Sequence, residues 1–466
     1  MYKNYVIFIQ IFLLNCLPVA KTEEELLVTE INWRKINDVE KLSEYAKNED
    51  LGFQLAAVRQ ARRLLSCKKA PPYDKFIQSG ILPTLVKFMD SKNTTLQFDS
   101  TWILAHIASG TGEQTAAIVE AGSIPSFINL LNSPNKEIQS QALWGLKIQS
   151  QALWGLSHII DKSPESRNEC INSGIIQAFA KLADSEVTNL ANLRNIAWSL
   201  KNLCKHEIGN NLMKIEVIQE ILPIFEKFLE SNDSLILSET LSGVANCGNG
   251  SHTRIQTIIS YKNLIKKIIP FLKYSNAKVQ HSALNVIKII SKGNVQQKKI
   301  LLDNGILEYM LSPIKSQNKQ IKHSVLYILG KIMSAKHQQN DQIWDPKLIH
   351  EIVKLLKYND YQIRIDAAKI IVFISMQPKY IKTLIKYNVV SRLCKILRHP
   401  LKDENDSVVV LTALKNIIEN SNKTEKKTIL KEMKNSGGTS LFSNFENREN
   451  DKIKSICKEI INFFDN

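Results

Sequence analysis

LIHEIVKLLKYNDYQIRIDAAKIIVFIS, residues 348–375, holds the grammar of the whole chain. Leu348, Ile349, Ile352, Val353, Leu355 and Leu356 recur at three- and four-residue steps, the spacing of one helical face. Asn359-Asp360 breaks that pattern, and a longer run follows with Ile365, Ala368, Ile371, Val372 and Ile374. A lone helical pair cannot bury two such stripes. Stacked copies can, because each pair covers the next.

Working outward, copies are marked by a glycine ahead of an apolar helix start: Gly80-Ile-Leu-Pro83, Gly122-Ser-Ile-Pro125, Gly174-Ile-Ile and Gly305-Ile-Leu. The first interval is 42 residues and the second is 52. The ten-residue excess is a duplication, IQSQALWGLK at 138–147 followed by IQSQALWGLS at 148–157. Removing one copy restores 42. The 131 residues from Gly174 to Gly305 then hold three units of nearly 44. The chain therefore reads as all-α, an α-solenoid of about nine to ten units. Ten extra residues are about 2.8 helical turns, so the second copy is rotated by nearly a quarter turn. Either one helix of the third unit is overlong, or the repeat is a splicing or assembly artefact.

Composition narrows the function classes. Of 466 residues, 44% are hydrophobic and 23% charged, ordinary for a protein that buries a core. Seven Cys without a C-x-x-C pair and nine scattered His give no metal-ligand spacing. No phosphate-cradling glycine loop or nucleophile elbow is present, so neither enzyme chemistry nor a cofactor is expected. No apolar run reaches 18 residues, which leaves no expected membrane span. The net charge of +16 on its own favours an acidic partner.

Residues 1–20, MYKNYVIFIQIFLLNCLPVA, have the outline of a secretory signal peptide. Five sequons, at Asn93, Asn232, Asn249, Asn405 and Asn422, would then be exposed to glycosylation. A mispredicted first exon explains the same apolar stretch, and an Asn- and Lys-rich chain yields sequons by chance. Residues 21–50 are of mixed charge, and the solenoid is expected to occupy 51–466.

Beyond periodicity, LQFDSTWILAHIASGTGEQTAAIVEAGSIPSFINLLNSPN at 96–135 resembles importin α, the armadillo-repeat adaptor of nuclear import. So do SHIIDKSPESRNECINSG at 157–174, RNIAWSLKNLCKH at 194–206 and, at the end, FENRENDKIKSICKEIINFF at 445–464. The resemblance implies a right-handed solenoid of armadillo repeats. The last helix of each repeat would line a concave groove, with a Trp four residues before an Asn on one helical face. Indole slots would take the stems of cargo Lys and Arg, with cation–π attraction of about 0.5–2 kcal/mol each. The Asn amides would hold the peptide backbone.

The family pattern falls on Trp102 with His106, Trp154 with His158, and Trp198 with Asn202, and further groove positions fall on Gly110, Thr115, Gln151 and Asn195. Two of three Asn positions are thus His, which when neutral offers one donor and one acceptor. The groove's key acid aligns with Lys162, with Asp161 one residue early. In later repeats the Trp positions read Ser242, Asn285, Tyr327 and Lys369, and the Asn positions Asn246, Ile289, Lys331 and Phe373, so the second, minor groove is expected to be lost.

Charge follows the same split. Residues 91–205 balance nine basic against nine acidic residues, whereas 251–300 hold ten Lys or Arg and no acid. That run suits phosphate or an acidic protein surface, although only Tyr261 and Tyr274 interleave it, too few for a nucleic-acid stacking platform. The expected partner is therefore a basic nuclear localisation signal peptide, bound by a protein shuttling between cytoplasm and nucleus. The basic segment that engages importin β is not found in residues 22–50, which leaves that coupling open. The alternatives are a solenoid scaffold that has lost signal binding, favoured by the His replacements and Lys162, and a secreted or lumenal repeat protein.

Overall fold

The structure is a computed structural model, and it describes residues 31–66, 70–132, 139–186, 188–205, 213–334, 344–399, 401–446 and 449–465. The apolar segment 1–20 lies outside them, as do residues 21–30 of the segment 21–50. Among the described residues there are helices and connecting turns but no strand. The chain divides into two units, residues 1–195 and 196–466.

Ten long helices close the successive repeats: α1 Leu51–Ser66, α2 Thr94–Ala108, α3 Gln139–Lys162, α4 Leu190–Leu203, α5 Ser234–Gly248, α6 Ala277–Ser291, α7 Lys319–Met333, α8 Tyr361–Ser375, α9 Glu404–Glu419 and α10 Asp451–Asp465. Their starts are written locally. Asn93, Asp233, Asn276, Asn318, Asp360 and Asp403 are N-caps whose side chains accept backbone N–H groups from two or three residues on. Each such cap contributes about 1 kcal/mol. From Asp233 onward they fall 42 or 43 residues apart, so the repeat is measurable in its caps.

The glycine contexts have an equally local cause. Gly80, Gly122, Gly174 and Gly305 take φ of +68°, +77°, +84° and +70°, and Asn388 does the same work at +56°. A left-handed residue turns the chain from the short first helix into the second, and glycine carries no Cβ penalty there. Two sequons receive a structural account as well, since Asn93 and Asn422 are helix N-caps.

Within unit 1, α1 packs on α2 and α2 on α3; within unit 2, α5 through α10 pack each on the next. Their inner faces are fully buried Leu, Ile, Val and Ala, for example Ile103, Leu104 and Ile107 on α2 and Ile365, Ala368 and Ile371 on α8. Helical packing begins earlier than residue 51, because Val39–Ala46 packs on α1 and Trp33 meets the rings of Tyr45 and Phe53 at 5.1 and 5.9 Å. The duplicated decapeptides run into one helix, α3, which has 24 residues where the other closing helices have 14 to 16. Residue 138 and the side chains of most of the first copy lie outside the described residues.

Candidate functional site

The candidate positions are described unit by unit: Trp102 to Asn195 fall in unit 1, chiefly on α2 and α3, and Trp198, Asn202 and Ser242 fall in unit 2, on α4 and α5. On α2, Trp102 and His106 share a face one turn apart, and on α3 Trp154 and His158 do the same. The four rings form a ladder. Trp102 and His106 lie 3.6 Å apart between centroids, His106 and Trp154 4.7 Å, and Trp154 and His158 4.7 Å. His106 therefore sits between the two indoles. Where the resemblance implied an open slot between parallel Trp rings, an imidazole stands.

The outer face of Trp102 is occupied too. Arg62, from α1, places its guanidinium 5.6 Å above the Trp102 ring and 5.0 Å above Phe98, and it pairs with the buried carboxylate of Asp99. Burial raises the Asp99 carboxyl, against the lowering pull of Arg62 and Arg59. Trp102 retains 7% of its surface, while Trp154 is half-buried.

Both ladder histidines are held neutral. Burial, then the neighbouring His158, then Arg62 bring His106 down to about 3. Burial, then Lys162 bring His158 down to about 4, with Asp161 opposing. A neutral imidazole stacks on indole without adding a buried charge.

The remaining positions of unit 1 are placed as follows. Lys162 donates from Nζ to the Gly110 carbonyl at 2.7 Å, while Asp161 is exposed beside it. A Cβ on Gly110 would come within 2.0 Å of Gln114 Oε1, because Gln114 folds back to close a capping box with Thr111. Thr115 is buried and donates to the Ala108 carbonyl at 2.8 Å, a bond that ties the turn to the helix before it. Gln151 is half-buried with Oε1 enclosed and unpartnered, and Asn195 is half-buried.

In unit 2, Trp198 is half-buried with Lys201 Nζ 5.9 Å from its ring. Asn202 is 1% exposed, and among the described residues both ends of its amide lack a hydrogen-bond partner. An orphaned buried amide is uncommon in folded proteins and costs about 1–3 kcal/mol. Lys201 reaches Glu239 at 2.6 Å, and Lys278 reaches the other oxygen of the same carboxylate at 2.8 Å. Ser242, at a later Trp position, donates to the Ser238 carbonyl and lies 3.0 Å from Ser282 Oγ, so small hydroxyls fill that place.

Sequence reasoning missed Arg62, Asp99, Lys201 and Glu239. The signal lay in register, since Asp99 and Glu239 stand three residues before Trp102 and Ser242, the same places that Gln151 and Asn195 hold before Trp154 and Trp198. No described helix is long and apolar enough to cross a membrane.

A family model described as Armadillo/beta-catenin-like repeat matches residues 70–109 and 113–147. A second, described as Proteasome non-ATPase 26S subunit, matches residues 136–421, more than half of the chain, so the chain belongs to the family which that model describes. "Importin subunit alpha-1b" of Oryza sativa subsp. japonica is 27% identical over 280 residues, 60% of this chain and 50% of that one. "Importin subunit alpha-3" of Arabidopsis thaliana is 32% identical over 266 residues, 57% and 47% respectively. The chain spans about half the length of the curated relatives it matches. A crystal structure of an engineered protein agrees in fold at 22% identity and a TM-score of 0.67, covering 92% of this chain and all of that one. The chain carries armadillo repeats in its first unit and is similar, as a divergent relative, to importin α.

Proposed function

We propose that this chain is a nuclear import adaptor that binds a basic localisation-signal peptide along the indole-bearing faces of its closing helices. The observation that carries the reading is the guanidinium of Arg62 on the face of Trp102. That face already performs cation recognition, and a Lys- or Arg-rich peptide is the ligand that competes for it. Trp154 offers a half-exposed indole beside it, and Trp198 another in the second unit. The enclosed amide of Asn202 and Oε1 of Gln151 supply the donor and acceptors that a peptide backbone would satisfy. On this reading residues 51–466 are the binding solenoid, the protein works in cytoplasm and nucleus, and importin β is a partner to be tested.

A second reading has its own observation. His106 fills the slot between Trp102 and Trp154, and Lys162 places a cation where the resemblance implied an acid. A solenoid that kept its helices and sealed its groove would be a protein-interaction scaffold.

Fluorescence anisotropy of a labelled Lys-rich signal peptide against the full chain separates the two. An import adaptor binds at micromolar or tighter, more weakly as salt rises, and loses about tenfold on Trp154→Ala or Trp198→Ala, the loss of one cation–π contact with its packing. Absence of binding at low salt would leave the scaffold reading.

A further inference from the structure

The second unit holds a cationic pocket that peptide binding does not use. It lies between the end of the helix Pro346–Leu355, the helix Val389–Leu397 and the C-terminal turn of Lys423–Asn435, with a volume of about 480 Å³. That is within the size range of small-molecule sites. Its lining brings together Lys357, Arg392, Lys395 and Arg398, four cations drawn from 42 residues of sequence, around one carboxylate, Glu432.

That carboxylate does not neutralise the site. Glu432 Oε1 accepts the Ser391 backbone N–H at 3.0 Å, which fixes it to the start of its helix, and it forms no ion pair with the pocket's cations. Two of the cations are anchored on backbone carbonyls instead. Arg392 Nη1 donates to Val353 at 2.8 Å, and Arg398 Nη2 donates to Ser436. Arg392 Nε is enclosed and without a partner, a fixed donor with nothing to donate to. None of the four has a carboxylate partner among the described residues. Gathering four like charges at one cavity is unfavourable unless something anionic offsets them. Two guanidiniums held by their carbonyl bonds present the planar, multi-donor geometry that oxyanions accept in pairs.

We propose that this pocket binds a compact polyanion bearing two or more phosphates on a small ring, an inositol-phosphate-like group. Net charge sets the valence, because three positive charges remain after Glu432 and a single monoanion leaves most of them unmatched. The volume sets the size, since about 480 Å³ holds a ring bearing several phosphates where a single phosphate would leave most of it empty. Such a group exists free in solution and as a lipid headgroup, and the chemistry of recognition is common to both.

The test is isothermal titration calorimetry of the full chain with inositol hexakisphosphate, beside sedimentation with vesicles containing a phosphorylated inositol lipid. Lys357→Gln and Lys395→Gln are the informative variants because both side chains are exposed and neither anchors the fold. Arg392→Gln removes the enclosed donor, and thermal melts of each variant establish that it folds. A 1:1 complex weakened about tenfold by each lysine substitution supports the site, as expected for one charge-assisted hydrogen bond. A Lys298→Gln, Lys331→Gln double variant, in a different basic cluster, is expected to bind normally. Whichever arm binds and responds to the lysine variants names the source, soluble or lipid. Binding in neither arm overturns the proposal. So does binding at several equivalents that falls equally in the control variant, which is charge attraction without a site.

Discussion

Acidification from pH 7 to 5 should weaken unit 1 through His106 and His158. In the folded chain the two imidazoles lie at about 3 and about 4, against an ordinary value near 6.5 for a solvated histidine. Both therefore stay neutral at pH 5 while the unfolded chain has protonated both. The unfolded state then carries nearly two more protons, and stability rises with pH at about 2.5 kcal/mol per unit from these two groups. Their stabilisation is full above pH 6.5, declines as pH falls, and is exhausted for His158 near pH 4 and for His106 near pH 3.

Two measurements read this. A proton–carbon NMR titration should show the His106 and His158 ring signals, assigned by His106→Asn and His158→Asn, unshifted down to pH 5. Urea unfolding at pH 7 and pH 5 should show a smaller pH-dependent loss of stability in His106→Asn than in the parent, by the share of one linked proton. The difference between variant and parent cancels the carboxylates that begin to titrate below pH 5. If His106 titrates near 6.5, the imidazole is solvated and is not the spacer between Trp102 and Trp154. The ring ladder would then be refuted along with the argument that it closes the slot.

The other tests bear on stability. Gly243→Ala would put a Cβ 2.3 Å from the Phe225 ring in the core of unit 2; overpacking of this kind costs about 1–3 kcal/mol and should lower the melting temperature, whereas an unchanged melt would mean the helices are not in contact there. Asn93→Ala removes the cap of α2 and should cost about 1 kcal/mol in denaturant unfolding, while Asn93→Asp should be nearly neutral because the aspartate oxygen accepts the same N–H groups.

Legibility from sequence followed the range of the interaction. Caps and left-handed glycines act within three or four residues, so the repeated contexts at Gly80, Gly122, Gly174 and Gly305 could be read directly, and the structure gives each glycine a positive φ. Helical faces could be read for the same reason, as at Ile365, Ala368 and Ile371. What Trp102 touches could not. Its contacts come from Arg62, forty residues earlier on α1, and from Trp154 on α3 by way of His106. The residue types were visible, but a histidine in an asparagine's place reads as a weakened peptide contact until its ring is found between two indoles. Thr115 and Gly110 show the converse, because their positions matched a groove while their bonds serve a turn and a capping box.

Charge makes the same point in both directions. The run 254–299 holds ten cations and no acid in a linear window, yet the repeat supplies acids from the helix before it. Lys262 and Lys267 meet Glu226 at 2.8 Å, which draws that carboxyl down to about 2, and Lys278 meets Glu239. Arg254 is buried with its guanidinium on the Asn249 and Met213 carbonyls, and Lys273 rests on the Tyr309 ring. Much of the run is therefore internally compensated, and its surface field is smaller than the count suggests. Arg392, Lys395 and Arg398 stand on and just after one short helix, and Lys357, 35 residues before Arg392, joins them only through the stacking of one repeat on the next. In a solenoid the electrostatic neighbour of a residue is the one about 40 positions away, so a sliding window overstates a paired run and overlooks an unpaired cluster.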